Sequence, residues 1–274
     1  GTTPVCEGND LQFTATEVPG ATYQWTGPAG FTSAEANPLL AGISTAASGT
    51  YSLIVTVNGC ASQAATLNIT VNPAPRAGVD NVAPVCNDGS PLDVAGLLSA
   101  PHDAGGVWED IDGTGALTGS TLTTAGLAAG NYQFRYTVTN ICNETDDAII
   151  TVALKDVPQP PAATGTTPIC EGENLQLTAT PVEGATYNRT GPDGFTSTEQ
   201  NPLITASSPA ANGLYSVTVT VNDCASQAST VAITVNPVPQ FSISGNTSLC
   251  EGQTSILSVL PANFDVNAVT YEWY

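Results

Sequence analysis

Residues 51 to 60 read YSLIVTVNGC, and their side chains alternate: Tyr51, Leu53, Val55 and Val57 fall on one face of an extended chain, Ser52, Ile54, Thr56 and Asn58 on the other. A strand with that pattern has one buried face and one wet face. The stretch recurs at 215 to 224 as YSVTVTVNDC, where Tyr215, Val217, Val219 and Val221 stay aromatic or apolar while Ile54 is replaced by Thr218. The same alternation runs through Leu11, Phe13 and Ala15 and through Leu67, Ile69 and Val71. Short strands with turn signals every ~8 to 12 residues, in units of roughly 80 residues, predict an all-β chain of antiparallel sandwiches. No segment carries a sustained helical period.

Outward from this strand, residues 1–75 align without a gap on 165–239, with about two-thirds of positions identical. The offset of 164 (170 − 6 for Cys6 and Cys170, 224 − 60 for Cys60 and Cys224) spans two units, because a divergent one carrying Cys86 and Cys142 lies between. The expected domains are 1–75, a divergent 76–158, 159–239 repeating the first, and 240–274 as the truncated start of a fourth, which closes on Glu272, Trp273 and Tyr274. The seams VNPAPRAG, VPQPPAATG and VNPVPQ are proline-rich and predict semi-rigid spacers.

The seven cysteines fall as one pair per complete unit, 54, 56 and 54 residues apart (60 − 6, 142 − 86, 224 − 170), plus Cys250. Neither C-x-x-C nor a zinc-ligand spacing occurs, which favours disulfides and an oxidising, extracytoplasmic setting. The expected pairs are Cys6–Cys60, Cys86–Cys142 and Cys170–Cys224, with Cys250 bonded to a partner outside the chain.

Lys and Arg total 4 against 24 Asp and Glu, for a net charge of −20. Such a chain cannot neutralise phosphates, which excludes nucleic acid, and an anionic membrane surface repels it. No apolar run is long enough to insert in a membrane. The opening GTTPVCEG lacks signal-peptide features, so an export signal is expected upstream or already removed. Divalent cations suit this charge, and Glu109, Asp110 and Asp112 in GGVWEDIDGTGALTG are the calcium candidates. Their D-x-D-G matches the start of a calcium loop but lacks its later ligands, so the competing reading is a polar hairpin turn. No catalytic residue is assigned: His102 is the only histidine, and no nucleophile motif lies near it.

Trp25 in TYQWTGPAGF becomes Arg189 in TYNRTGPDGF. An unpaired guanidinium at a core centre costs several kcal/mol, which places this position at the end of the sandwich, with Trp25 partly enclosed and the Arg189 head reaching water. Trp108 and Trp273 take the comparable place in the other units. Phe31 and Phe195, which end the G-P-x-G-F turns, are expected to tuck over the sandwich end.

The order of CEG, Y-x-W-x-G-P-x-G-F, N-P, S-G-x-Y-x-x-x-V-T-V-N-G-C and V-N-P resembles immunoglobulin-like domains. It departs from antibody domains in placing Tyr51 nine residues before Cys60, so the disulfides are expected to pin strand ends and not to cross the core. More narrowly, the pattern resembles the Ig-like and PKD-like repeats of very large Bacteroidota surface proteins, the gliding-motility adhesins of the SprB type carried by type IX secretion. The resemblance implies an extracellular, cell-surface, non-enzymatic stalk without a cofactor. It also implies surface glycans or proteins as ligands and the gliding and secretion machinery as partners. The alternatives are spacer or glycan-binding modules of a secreted polysaccharide-degrading enzyme, and a self-assembling extracellular fibre subunit.

Overall fold

The computed structural model describes residues 4–265, 267 and 269–272. Its regular structure is strand, with only short 3-10 turns between strands, and the chain divides into two compact units, Gly1–Lys155 and Asp156–Tyr274.

The first unit holds two sandwiches. In the first, the stretch that opens the sequence lies in the long strand Gly49–Val57, flanked on one side by Ala21–Thr26 and then Thr32–Ser33, and on the other by Cys60–Ala61 and Ala65–Ile69. Leu11–Gln12 pairs with Leu39–Leu40 in the facing layer, and Val5–Cys6 runs parallel to Val71–Asn72 to close the side. Between the layers sit Leu11, Phe13, Trp25, Tyr51 and Ile69, each at most 6% exposed.

The second sandwich stacks Asn81–Asn87, Thr145–Asp156, Gly130–Thr139 and Val107–Asp110 in one sheet, against Pro91–Asp93, Thr121–Thr123 and Leu117–Thr118. Val94, Leu122, Phe134, Ile150 and Val152 fill its core. These are tandem immunoglobulin-like sandwiches.

In the second unit the third sandwich repeats the first and adds the strand Ala163–Gly165, antiparallel to Leu175–Ala179. The chain then changes layers, and Ile169–Cys170 runs parallel to Val235–Asn236. Beyond it, Phe241–Ser244 pairs with Ser258–Pro261 as a hairpin.

The added strand explains why the predicted inner face is tighter in this copy. Val217 and Val219 are fully buried, whereas their counterparts Leu53 and Val55 are only half-buried. A Cβ on Gly165 would press on Ile233 and Leu177, so this strand lies directly on the core, and the glycine permits that approach. Beside Trp25 in the first sandwich the corresponding place is a slot of about 210 Å³, bordered by Phe13 and Thr14 on one side and by Ala65 to Leu67 on the other.

The tyrosine that starts each long strand donates from its hydroxyl to the carbonyl four residues back: Tyr51 to Ala47 at 2.8 Å, Tyr132 to Ala128 at 2.9 Å and Tyr215 to Ala211 at 3.1 Å. This is the tyrosine corner of immunoglobulin-like sandwiches. Against the ring lies the T-G-P turn, where a Cβ on Gly27 would overlap Tyr51 and one on Gly191 would overlap Tyr215. Phe31 and Phe195 fold back onto the same rings, with centroids 5.6 and 5.5 Å away, as the sequence leads one to expect.

Burial pushes the Tyr51 phenol above its ordinary value of 10.0, and burial followed by the charge on Asp193 does the same for Tyr215. The folded chain then keeps protons that the unfolded chain sheds, so this contribution is complete below about pH 10 and is lost as pH rises beyond it. Tyr51→Phe should cost about 1–2 kcal/mol in urea unfolding at pH 7, because the buried Ala47 carbonyl loses its donor. Its loss of stability above pH 10 should be shallower than that of the parent chain. An unchanged midpoint would show that the corner bond carries no net stability.

Candidate functional site: a disulfide at the junction of two sandwiches

Cys6 is bonded to Cys142, 136 residues on, across a Cα separation of 6.4 Å. Cys86 and Cys224 are also disulfide-bonded, while Cys60, Cys170 and Cys250 are exposed free thiols. The expected pairs Cys6–Cys60, Cys86–Cys142 and Cys170–Cys224 are therefore all corrected.

The reason lies in where the strands run. Cys6 pairs with Asn72 on the last strand, immediately before the chain leaves at Pro73, and this end of the sandwich also holds the start of the long strand, where Gly49 faces Ile69. Cys60 lies beyond the other end of that strand, across a tight turn opposite Val57. Nine residues at about 3.3 Å each separate the two poles by about 25 Å, whereas a disulfide needs Cα atoms within about 7 Å. The first cysteine marks the exit pole and the second the entry pole, so the bond that can form runs from one sandwich to the next. The expectation that the disulfides pin strand ends holds, but the two ends belong to neighbours.

The residues around the bond hold the linker as well. Asn140 accepts at its Oδ1 from the Cys142 and Glu144 amides at 2.9 and 3.1 Å, which shapes the turn that presents Cys142. Its Nδ2 donates to the Pro73 carbonyl at 3.1 Å. Glu7, next to Cys6, accepts from the Ala74 amide at 3.3 Å. Asp103 accepts from Arg76 N at 2.9 Å and Asp146 from Ala77 N at 2.8 Å. Every non-proline amide from 74 to 77 that these bonds reach is tied to a side chain, so hydrogen bonds stiffen this seam beyond what its prolines supply.

The C-E-G triplet now has a mechanism: a cysteine for the neighbour, a carboxylate for the linker, and Gly8 at φ 85°, which turns the chain so that its amide reaches Ile43 O at 2.8 Å. The third sandwich repeats the pattern, with Glu171 accepting from Val238 N at 3.3 Å and Gly172 N donating to Ser207 O at 2.8 Å. Sequence reasoning registered the triplet as a motif without a role. The signal that points to its role is the coincidence of Cys, Glu and the V-N-P exit in both copies.

The calcium candidates are not brought together. Glu109 forms a cross-strand ion pair with Arg135 at 2.9 Å, Asp110 accepts from Thr114 Oγ1 and Gly115 N at 2.8 and 2.9 Å, and Asp112 accepts from Gln133 N at 2.6 Å. Among the described residues no three His, Cys, Asp or Glu side chains are grouped to hold an ion. Adding calcium should leave the thermal midpoint unchanged, and a rise of several degrees would restore the calcium reading. His102 is exposed, with Nδ1 at 3.1 Å from Ser99 O. It borders an open depression of about 590 Å³ together with Trp108 and Tyr136, whose rings lie 4.9 Å apart. Among the described residues His102 makes no hydrogen bond to a nucleophile, and the chain is not an enzyme.

Arg189 corrects a second expectation. It is 1% exposed, and Trp25 is 6% exposed, so neither caps an open edge. Arg189 faces Val217 on one side and Ser197 on the other, inside the sheet, where its stem has no route to water. Nε and Nη2 donate to Gln200 O at 3.2 and 2.6 Å, Nη1 is buried without a partner, and burial lowers the guanidinium pKa from its ordinary value. Trp25 satisfies its single donor on Glu35 O at 3.0 Å. Trp108 is half-buried, and Trp273 lies outside the described residues.

No protein-family model and no curated protein matches the chain. Among solved structures it is similar to Sidekick-1 immunoglobulin domains 1–4, with 17% identity over 87% of this chain and 72% of that one and a TM-score of 0.30. It is also similar to a segment of titin domains, at 13% identity, 85% and 95% coverage and a TM-score of 0.39. The insect immune protein hemolin follows at 13%, 86% and 76%, with a TM-score of 0.34. At this level of likeness a shared ligand or partner does not follow.

Proposed function

We propose that the chain is a non-enzymatic, extracellular stalk segment of a cell-surface adhesin, a series of immunoglobulin-like domains bounded at 1–75, 76–158, 159–239 and 240 onward. The Cys6–Cys142 bond carries this reading. A bond from exit pole to entry pole fixes one sandwich on the next, and oxidised chains pulled from their ends cannot pay out the residues it encloses. The resemblance to gliding-motility adhesins of Bacteroidota supports the same role, with surface attachment or gliding as its outcome and type IX secretion as its route.

On cells, the full-length protein carrying Cys6→Ser and Cys142→Ser should bind surfaces normally at rest and detach at lower shear. Unchanged shear resistance would count against a load-bearing stalk. A second reading, a glycan-binding module, is favoured by the aromatic depression at Trp108 and Tyr136. Under that reading Trp108→Ala abolishes oligosaccharide binding and leaves shear resistance intact.

A further inference from the structure

Each free thiol at a pole has a bonded counterpart in the repeat. Cys6 at the exit pole of the first sandwich is bonded and 2% exposed, while Cys170 at the exit pole of the third is free and exposed. Cys224 at the entry pole of the third sandwich is bonded and fully buried, while Cys60 at the entry pole of the first is free and exposed. The local frames match: Cys170 faces Asn236 as Cys6 faces Asn72, and Cys60 faces Val57 as Cys224 faces Val221. At equivalent backbone positions, bonding therefore goes with burial. The linker clamp at the exit pole is also in place, because Glu171 already holds Val238 N as Glu7 holds Ala74 N.

We propose that Cys170 and Cys60 are the two open halves of the kind of junction that Cys6 and Cys142 complete, and that a second copy of the chain fills them head to tail. Cys170 of one copy bonds Cys60 of the next, a heterologous contact that repeats instead of closing. The chemistry is thiol–disulfide exchange: the two thiols lose two protons and two electrons to form one disulfide, and one oxidised glutathione takes them up as two molecules of the reduced thiol.

The test uses the full chain carrying Cys250→Ser, so that no third free thiol takes part. With oxidised glutathione it should give a ladder of dimers, trimers and longer chains on a non-reducing gel, and peptide mapping should find Cys60 linked to Cys170. Adding either Cys60→Ser or Cys170→Ser should leave monomers, and mixing those two variants should give dimers and nothing longer. Monomers carrying glutathione on both thiols would overturn the proposal. So would Cys60–Cys60 or Cys170–Cys170 dimers, which a single variant retains. The stalk reading does not depend on the result, since shear resistance is tested at Cys6 and Cys142.

Discussion

Replacing Cys6 and Cys142 together by serine is expected to destabilise the first unit by up to about 5 kcal/mol, the loop-entropy value for a bond closing 136 residues. Two effects contribute. The unfolded chain regains the freedom of a long loop, and the two sandwiches lose the bond that makes them unfold together. Trp25 and Trp108 report on the first and second sandwich separately. Urea titration followed by their fluorescence should show one shared transition in the oxidised parent and two separated transitions in the double variant, at lower urea. Each sandwich keeps its own core, so far-UV circular dichroism at low urea should be unchanged. Coincident transitions at the parent midpoint would show that the bond adds no stability and no coupling.

The same bond sets a mechanical length. Pulled from its ends, the reduced chain should release roughly 450 to 490 Å more contour length than the oxidised one, because 136 residues at about 3.3–3.6 Å each lie behind the disulfide.

Replacing Arg189 by Trp is expected to stabilise the third sandwich by about 1–4 kcal/mol, since a buried cation with no carboxylate partner gives way to an apolar ring of similar place and function. For a domain of this size each kcal/mol raises the midpoint by roughly 4–8 °C. The first sandwich shows that the ring fits the frame, with its one donor satisfied by a backbone carbonyl. Arg189→Met, which keeps an unbranched apolar stem and drops the charge, checks the result where the larger ring is crowded. If both variants lower the midpoint, the two hydrogen bonds to Gln200 O outweigh the cost of burying the charge. The reciprocal Trp25→Arg should cost the first sandwich several kcal/mol.

Much of the fold was legible in local patterns because its causes are local. Tyr51 to Val57 alternate with a period of two, which is the period of a strand with one buried face, and the corner tyrosine sits where S-G-x-Y places it. Asn58 and Gly59, at φ 51° and 81°, make the tight turn that V-N-G signals. The T-G-P-x-G-F turn packed its phenylalanine inward because the glycine before the proline leaves room only for the Tyr51 ring. Glu109, Asp110 and Asp112 show the limit of such patterns. Adjacent in sequence, they separate because neighbouring residues on a strand point to opposite faces, and each found its own partner.

The sequence by itself determined that cysteines come in pairs, that strands form sandwiches, and that a repeat of two units governs the chain, since counts, periods and offsets need no third dimension. Only the tertiary structure decided which cysteines meet. A spacing of 54 residues says nothing of distance until the long strand places one cysteine at each pole, and the shortest covalent path then leads to the neighbouring sandwich. It also decided the fate of Arg189, whose exposure depends on strands far away in sequence closing over both of its sides.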